Sequence, residues 1–382
     1  MPRYAHIIGW GKYAPANVVT NVDLAKKVDT TDEWIRERTG IAQRHIATEK
    51  ESTALMAVHA ARDAIERADV DPREIDLVIV ATATPEYLFP ATACLVQSAL
   101  GAERAGAYDL EAGCSGFVYA LATAAAMIRS ETFNTIVVIG SETLSRVVDW
   151  KDRGTCVLFG DGAGAVVLRG SDAPGGVLAS TLGADGSGGE LLILPGGGAK
   201  HPAGPDTVLS KMHYLKMNGR EVYRFATKIM AEAAKQVAAR ASWSLDQIDL
   251  FIPHQANARI IESAAKALKL PPEKIFVNLQ NYGNTSAASI PIALCEALAA
   301  GKITAGARLI LVGFGAGLTW AACAVEWTAA KPGAATLRHR VATGKLRFAW
   351  AGIKSLGWQI SRHVDAVVSK VIDAVEKKPA AK

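Results

Sequence analysis

Long apolar runs alternate with segments of helical spacing along the first half of the chain. Three of the runs, DLVIVATAT, TIVVIGSE and GAGAVVLRG, are almost wholly apolar, and AGAYDL is a shorter run of the same kind. One helix is predicted to begin after Pro90, and another, nearly all apolar, to cover 115–129. Continuous apolar strands separated by helices are typical of a sheet buried on both faces, so the pattern predicts an α/β protein.

The second half of the chain repeats this order. The segment IDLFIPHQA matches IDLVIVATA, and IFVNLQNYGNTSAASIPIALCEAL matches AGAYDLEAGCSGFVYALATAAAMI. The spacings agree, since Cys114 lies 38 residues after the aspartate of the first segment and Asn284 lies 35 residues after that of the second. We therefore predict two related βαβαβ-type halves, residues 1–172 and 173–330, packed about a pseudo-twofold axis with the turns at Cys114 and Asn284 facing each other.

Composition narrows the class of protein. Half of the residues are hydrophobic, yet no run of 18 or more is free of charge or clustered glycine, so we expect no membrane span. No charged segment leads into a long apolar run at the start, so we expect no secretory leader. The five cysteines are odd in number, scattered and without a CxxC pair, which argues against disulfides and a zinc site and indicates a reducing cytoplasm.

Charge is spread unevenly along the chain. The residues from 331 onward hold 11 Lys/Arg and 3 Asp/Glu, a net +8, whereas the whole chain carries +5, so residues 1–330 carry −3. A mildly acidic body argues against nucleic-acid binding, which favours a basic face.

The basic segment 331–382 has its own pattern. Its apolar residues recur at the spacing of a long amphipathic helix, at Leu346, Trp350, Ile353, Gly357, Ile360, Val364, Val367, Val371 and Val375. Such a helix packs on its own subunit or pairs with a dimer mate. The alternative is a peripheral membrane or carrier-protein contact, because Trp350 and Trp358 have basic neighbours.

One cysteine stands out by its surroundings. Cys114 is flanked by glycines in DLEAGCSGFVYAL, where a strand, a tight turn and a helix are predicted in succession. A thiol at the first turn of a helix lies at the positive end of the helix dipole, which lowers its pKa and favours the nucleophilic thiolate. The alternative is a small buried residue in a packing turn, since free cysteine is often buried.

Two polar residues of the second half occupy comparable positions. His254, in PHQANARII, falls at the C-terminal end of a strand, where α/β proteins bind ligands. Asn284, in NYGNTSAASIP, precedes a helix of small residues. A structural histidine and a helix-capping asparagine are the alternatives. Equivalent placement of Cys114, His254 and Asn284 in a duplicated fold is hard to explain by packing alone and favours a shared active site.

Two glycine-rich segments differ in what they indicate. GFGAGLTW is a turn whose small residues suit a close approach of the backbone to a ligand. FGDGAGAVVL contains a GxGxG pattern but runs into a strand rather than a helix, so it does not predict a dinucleotide site.

The segments DLEAGCSGF, HQANARI and GNTSAASIP, in this order, resemble the active-site motifs of β-ketoacyl-acyl carrier protein synthase III, the initiating condensing enzyme of bacterial fatty acid synthesis. TTDEWIRERTGIAQRHIA and DRGTCVLFGDGAGAVVL resemble that family as well, and the likeness covers roughly residues 1–328. The resemblance implies a thiolase-like fold, in which the two halves form five layers in the order αβαβα. Sister families differ at these points. Elongating ketosynthases have a Cys-His-His pattern, with histidine where this chain has Asn284, and thiolases use a second cysteine near the C-terminus.

The resemblance also implies roles at the site. The Cys114 thiolate would take the acyl group from an acyl-CoA, and the N–H groups of Cys114 and Ala316 would form the oxyanion hole. Family members often have glycine where this chain has Ala316. His254 and Asn284 would donate hydrogen bonds to the thioester carbonyl of malonyl-acyl carrier protein while CO₂ leaves. No metal and no tightly bound cofactor are implied, and the CoA thioester is a substrate.

The resemblance places a CoA entrance on two segments. Trp34 and Arg153 would sandwich the adenine, since a planar guanidinium stacks well on an aromatic ring. Arg38, Thr39 and Gly154 would line the same entrance. The alternative for Trp34, a core aromatic, conflicts with its charged surroundings in DEWIRER.

Two further surfaces are implied. Arg259, Lys266 and Lys269 share one face of a predicted helix that could receive the acidic carrier protein, although a solvated helix face explains them equally well. Phe89 would reach across a dimer interface and close the partner's acyl pocket, as in relatives.

The expected activity is condensation of a short acyl-CoA, acetyl-CoA in the first instance, with malonyl-acyl carrier protein by a cytoplasmic homodimer. A condensing enzyme of secondary metabolism and hydroxymethylglutaryl-CoA synthase remain open; the latter adds a glutamate base, and Glu86 lies in the right region. A cysteine thioester hydrolase is the alternative of another class, with His254 acting as a base for water.

Overall fold

Two large β-sheets and their helices make up residues 3–328, the part of the chain that the computed structural model describes. The strands are β1 (Tyr4–Tyr13), β2 (Val18–Thr20), β3 (Gln43–His45), β4 (Leu77–Ala81), β5 (Gly106–Leu110), β6 (Thr135–Glu142), β7 (Gly162–Ser171), β8 (Gly176–Ala184), β9 (Leu192–Ile193), β10 (Lys216–Met217), β11 (Leu250–Pro253), β12 (Arg308–Gly315) and β13 (Thr319–Glu326). The α-helices are α1 (Asn21–Ala25), α2 (Asp32–Thr39), α3 (Thr53–Ala68), α4 (Thr92–Leu100), α5 (Gly116–Arg129), α6 (Arg153–Cys156), α7 (Pro205–Leu209), α8 (Gly219–Arg240), α9 (Ala258–Leu268), α10 (Leu279–Tyr282) and α11 (Ser289–Ala299). The helix predicted in 331–382 lies outside the described residues.

The two large sheets have matching strand orders. The first is β1-β7-β6-β4-β5, in which β6, β4 and β5 run parallel and β7 is antiparallel to both of its neighbours. The second is β8-β13-β12-β11, with β11 parallel to β12 and the other pairs antiparallel. Ile275 forms a single parallel bridge to Phe251 of β11, in the place that β5 holds in the first sheet. Matching orders are what a duplicated fold requires; the boundary near residue 172 stays a prediction.

Helices fill the space between the sheets and cover their outer faces. α5 and α11 lie between the sheets and share one core with residues of both, including Phe117, Ile252, Ile290 and Leu311. α3 and α4 cover the first sheet, and α8 and α9 cover the second. The layers follow the order αβαβα, which confirms the predicted fold class. None of the helices within residues 3–328 combines the length and apolarity needed to cross a bilayer.

Glycines on the central strands bring the starts of α5 and α11 against the opposite half. A Cβ on Gly140 of β6 would lie 2.2 Å from the carbonyl oxygen of Ala287, just before α11. A Cβ on Gly313 of β12 would lie 2.8 Å from the Cα of Ser115, just before α5. Only glycine allows such close approach. The two turns are therefore held at the junction of the halves, where the candidate site forms.

Candidate active site

Three polar side chains from separate elements line one cavity of about 100 Å³ at this junction. Cys114 lies in the 3-10 turn Gly113–Ser115 between β5 and α5, His254 directly follows β11, and Asn284 follows α10. The rest of the lining is largely apolar and includes Phe159 and Phe314. The structure thus brings together the three residues that the motifs singled out.

Burial dominates the environment of Cys114, which is 7% exposed. It raises the pKa of the Cys114 thiol to about 12; a hydrogen bond with Ser286 works in the opposite direction, and the negative charge of Glu142 adds to the increase. The lowered pKa expected from the helix dipole is therefore wrong for the unliganded protein. The physical reason is that the thiolate would lose its hydration in an apolar cavity, and the helix itself begins only at Gly116.

His254 is buried and held from two sides. Its Nδ1 lies 2.7 Å from the hydroxyl of Ser289 at the start of α11, and its ring contacts Phe314 edge to face at 5.2 Å. Burial lowers the pKa of His254 to about 3, so the imidazole is neutral at physiological pH. When Ser289 donates to Nδ1, the proton sits on Nε2, and that N–H is available as a donor.

Asn284 does not cap α11, which begins five residues later at Ser289. Its Oδ1 instead accepts a hydrogen bond of 2.8 Å from the backbone N–H of Ser286. Its own backbone N–H donates to the carbonyl of Leu158. Because Oδ1 is engaged, the orientation of the carboxamide is fixed and its NH₂ group remains as the donor.

The turn after β12 packs directly against Cys114. A Cβ on Gly315 would lie 2.4 Å from the backbone nitrogen of Cys114, and one on Gly113 would lie 2.8 Å from that of Ala316. Ala316 is not among the residues with a positive φ, so alanine fits the position without backbone strain. The hydroxyl of Ser115 donates to that of Thr319, which ties the two turns together.

Sequence reasoning missed Glu142, the last residue of β6. It is fully buried, and its carboxylate accepts hydrogen bonds from Thr84 and from Ser286, which belong to different halves. Burial raises the pKa of Glu142. The available signal was a carboxyl group closing the otherwise apolar strand TIVVIGSE. Ser286 and Ser289 were missed as well, because small residues in GNTSAASIP resemble ordinary helix packing.

The residues expected at a CoA entrance form a surface cluster, with one exception. The guanidinium of Arg153 lies 4.9 Å from the centre of the Trp34 ring, and that of Arg38 lies 5.4 Å from it. Gly154 follows Arg153 on α6 and is exposed. Thr39 departs from expectation: it is 4% exposed and its hydroxyl donates to the carbonyl of Ile35, so its side chain serves the end of α2.

Arg259, Lys266 and Lys269 are exposed on α9 and at its C-terminal end. Lys266 and Lys269 border a groove of about 510 Å³ whose floor is largely apolar and includes Ile261 and Ile275. Phe89 is 86% exposed on the loop before α4 and lies outside the lining of its own cavity.

Solved structures of two ketoacyl synthases share this fold. The 3-oxoacyl-(acyl-carrier-protein) synthase III of Aquifex aeolicus superposes with a TM-score of 0.78 at 48% identity, covering 85% of this chain and all of that one. The priming β-ketosynthase of the R1128 polyketide pathway gives a TM-score of 0.81 at 36% identity, covering 86% of this chain and 98% of that one. Fold and site together define a condensing acyltransferase of the thiolase-like class.

Sequence relatives specify the family. The family model of 3-oxoacyl-(acyl-carrier-protein) synthase III matches residues 108–186, and the model of its C-terminal part matches 238–327. The β-ketoacyl-acyl carrier protein synthase III of Desulfitobacterium hafniense is 50% identical over 84% of this chain and 97% of its own length. That of Symbiobacterium thermophilum is 51% identical over 85% and 98%. The chain belongs to the β-ketoacyl-acyl carrier protein synthase III family.

Proposed function

We propose that this chain joins a short acyl group from acyl-CoA to malonyl-acyl carrier protein, giving a 3-ketoacyl-acyl carrier protein, CO₂ and CoA. The observation that carries the proposal is the convergence of Cys114, His254 and Asn284 on one buried, largely apolar cavity. Each of the three supplies chemistry that the condensation needs, and the cavity of about 100 Å³ favours a short acyl group such as acetyl.

In the first half-reaction Cys114 attacks the thioester carbon of acyl-CoA. The bond from that carbon to the CoA sulfur breaks, a new thioester to Cys114 forms, and CoA leaves with the thiol proton. The backbone N–H groups of Cys114 and Ala316 stabilise the oxyanion. These two N–H groups are candidates for the oxyanion hole because the backbone of Gly113 and Gly315 packs closely against the two residues that carry them.

In the second half-reaction His254 and Asn284 hold the thioester carbonyl of malonyl-acyl carrier protein. The C–C bond to the carboxylate breaks, CO₂ leaves, and the electron pair is stabilised as an enolate whose oxygen accepts hydrogen bonds from Nε2 of His254 and Nδ2 of Asn284. The enolate carbon then attacks the acyl-Cys114 thioester. A neutral imidazole suits this donor role, since burial lowers the pKa of His254 to about 3.

CoA enters past Trp34 and Arg153 in this account. Their contact at 4.9 Å leaves no room for an adenine between them, because a sandwiched ring needs roughly 7 Å, twice a van der Waals contact. To move aside, Arg153, whose side chain is 48% exposed, gives up a hydrogen bond of 3.0 Å to the backbone carbonyl of Asp29 and an ion pair of 3.6 Å with its carboxylate. Arg38 and Gly154 border the same opening, and Thr39 contributes only by shaping the end of α2.

The carrier protein docks on the α9 face formed by Arg259, Lys266 and Lys269, whose positive charges suit an acidic partner. The enzyme acts as a homodimer in which the exposed Phe89 of each protomer closes the acyl pocket of the other; Leu88 and Tyr87 beside it are also exposed, at 79% and 58%. We place the enzyme in the cytoplasm. The segment 331–382 is the candidate for a peripheral membrane contact.

Two alternatives stay within the fold. A role in secondary metabolism is favoured by the likeness to a polyketide priming ketosynthase. Hydroxymethylglutaryl-CoA synthesis is disfavoured, because the carboxylate of Glu86 accepts from the backbone N–H of Ala54 and does not line the cavity.

Product analysis with three second substrates and a buffer control tests the proposal. The purified protein, loaded with acetyl-CoA, receives malonyl-acyl carrier protein, malonyl-CoA, acetoacetyl-CoA or buffer alone. We expect 3-ketoacyl-acyl carrier protein and CO₂ from the first. Product only with acetoacetyl-CoA would establish the hydroxymethylglutaryl-CoA alternative, and free acid in buffer alone would establish a hydrolase.

A further inference from the structure

A carboxylate on α11 binds both ends of the short helix that precedes Asn284. Oε1 of Glu296 accepts a hydrogen bond from the hydroxyl of Tyr282, the last residue of α10. Oε2 accepts from the carboxamide of Asn278, the residue just before α10, at 2.9 Å. Tyr282 and Asn278 are both buried. Because α10 is about one turn long, two bonds to one carboxylate fix both its position and its orientation.

Lys12 of β1 sets the direction of these hydrogen bonds. Its ammonium donates to the hydroxyl oxygen of Tyr282 at 2.6 Å and to Oε1 of Glu296 at 2.7 Å. An ammonium has no acceptor, so the hydroxyl proton of Tyr282 must point to the carboxylate. Burial acts to raise the pKa of Glu296, but the hydrogen bonds that it accepts lower it overall, so the carboxylate is ionised at physiological pH. The cluster thus joins three elements, β1, α10 and α11.

The same helix, α11, holds the other proposed donor to the enolate. The hydroxyl of Ser289 lies 2.7 Å from Nδ1 of His254. Ser289 and Glu296 are seven residues apart in the sequence, which places them on one face of the helix, two turns or about 10 Å apart. One face of α11 therefore holds His254 directly and the segment that carries Asn284 through Tyr282.

We propose that Glu296 and Tyr282 are positioning residues, which set the distance between the donor groups of Asn284 and His254. The role rests on the function of these two donors proposed above. Tyr282 lies two residues before Asn284, so a shift of α10 moves the carboxamide relative to the imidazole. An enolate oxygen accepts from both groups only when both lie within hydrogen-bond distance of it. A misplacement of about 1 Å can cost roughly 10²-fold in rate.

The alternative is that the backbone alone holds Asn284. Its N–H donates to the carbonyl of Leu158 at 2.8 Å, and its carbonyl accepts from the N–H of Gly160 at 3.0 Å. If these bonds suffice, the cluster around Glu296 contributes only to stability. Loss of its hydrogen bonds would then lower the free energy of unfolding and leave the rate of decarboxylation unchanged.

Tyr282→Phe separates the two accounts because it removes the hydroxyl that binds Glu296 and keeps the ring that stacks on His45 at 5.2 Å. Glu296→Gln is the second variant, since a carboxamide has one acceptor oxygen in place of two. Tyr13→Phe is the matched control. The hydroxyl of Tyr13 also binds a carboxylate, that of Glu51, and its ring also stacks on a histidine, at 4.8 Å.

Two rates are measured on the full-length protein. The first is single-turnover acylation of Cys114 by acetyl-CoA. The second is CO₂ release from malonyl-acyl carrier protein by enzyme acylated beforehand, with the maximal rate and the half-saturating concentration determined separately. Thermal unfolding reports the stability of each variant. Each substitution is also made together with Asn284→Ala, because a residue that acts through Asn284 has no further effect once that side chain is absent.

We expect Tyr282→Phe and Glu296→Gln to lower the maximal rate of decarboxylation by roughly 10- to 10²-fold, with little change in the half-saturating concentration or in acylation. Neither should slow the Asn284→Ala enzyme further, and Tyr13→Phe should leave both rates near those of the wild type. Decarboxylation at the wild-type rate by either variant, an equal loss of both half-reactions, or an additional loss in the Asn284→Ala enzyme would overturn the proposal. Decarboxylation at the wild-type rate by Asn284→Ala alone would instead refute the donor role on which the proposal rests.

Discussion

Burial decides the chemistry of the individual residues at the site. The same apolar surroundings raise the pKa of the Cys114 thiol to about 12 and lower that of His254 to about 3. Both groups are therefore neutral in the unliganded protein at physiological pH. A neutral imidazole is ready to donate a hydrogen bond, whereas a neutral thiol needs help to become a nucleophile. The two residues consequently belong to different half-reactions.

At this scale we predict that His254→Ala and Asn284→Ala cripple malonyl decarboxylation by roughly 10²–10³-fold each, as expected when one preorganised donor is lost. Acylation of Cys114 should be affected far less, because in the proposed mechanism both side chains bind the thioester carbonyl of the malonyl substrate. Separate assays of ¹⁴CO₂ release and of acyl-enzyme formation check this. Equal loss of both half-reactions in Asn284→Ala would count against its role as an enolate donor.

The depressed pKa of His254 also predicts how stability depends on pH. An unfolded histidine has a pKa of about 6.5, so between that value and about pH 3 the unfolded chain binds a proton that buried His254 does not. Its contribution to the free energy of unfolding is complete above about pH 6.5 and is lost as pH falls. Urea unfolding at several pH values should show a shallower acid-side decline for His254→Gln. An unchanged slope would mean that the histidine is protonated in the fold.

At the scale of elements, the site depends on where strands and helices end. His254 directly follows β11, and Cys114 lies in the turn before α5. Ser289, the first residue of α11, contacts the imidazole of His254. Asn257 caps the start of α9: its side chain accepts from the N–H of Arg259 and donates to the carbonyl of Arg38. The helix proposed for carrier docking is therefore joined to the helix proposed for CoA entry.

Charge reversal on α9 should separate the two substrates. We predict that Arg259→Glu and Lys266→Glu raise KM for malonyl-acyl carrier protein by about tenfold, because they place a negative charge opposite an acidic partner. Acylation by acetyl-CoA should be unchanged. Lys235→Glu, at an exposed position on α8, is the matched control. Equal effects of Lys235→Glu and Lys266→Glu would remove α9 as the docking face.

At the scale of the whole molecule, two halves of matching strand order enclose the site between them. The curated relatives align over almost their full length yet cover about 85% of this chain. The prediction that 331–382 is a separate extension of the catalytic fold lies outside the described residues. The last described residue, Thr328, bonds to His6 at the start of β1. The start of β1 and the end of β13 therefore lie together, at the opposite end of β13 from the turn that packs on Cys114.

A chain ending at Thr328 should consequently retain acyl-CoA condensation. The amphipathic, basic pattern of 331–382 predicts that its removal changes oligomeric state or binding to anionic vesicles. Sedimentation and vesicle flotation of full-length and shortened protein check this. Identical behaviour would leave the segment without either role, and loss of Cys114 acylation in a folded, shortened protein would place it in the active site.

Much of this architecture could be predicted from sequence, because apolar runs mark buried strands and because Cys114, His254 and Asn284 lie in turns at comparable points of the repeated pattern. The place of Glu142 beside the site could not be predicted, because its hydrogen bond with Ser286 joins segments that are far apart in sequence. Thr39 was misplaced because sequence does not show that its hydroxyl closes the end of α2. Contacts between distant segments, rather than local patterns, account for what was missed.

The central claim is that Cys114 carries the acyl group, and peptide mass spectrometry after exposure to a series of acyl-CoAs tests it most directly. We predict one acyl adduct on Cys114, strongest with short chains, and none in Cys114→Ser. Because Cys94 is the exposed cysteine of the described chain, it controls for non-specific acylation. An adduct on Cys94, Cys156, Cys295 or Cys323 in place of Cys114 would contradict the account.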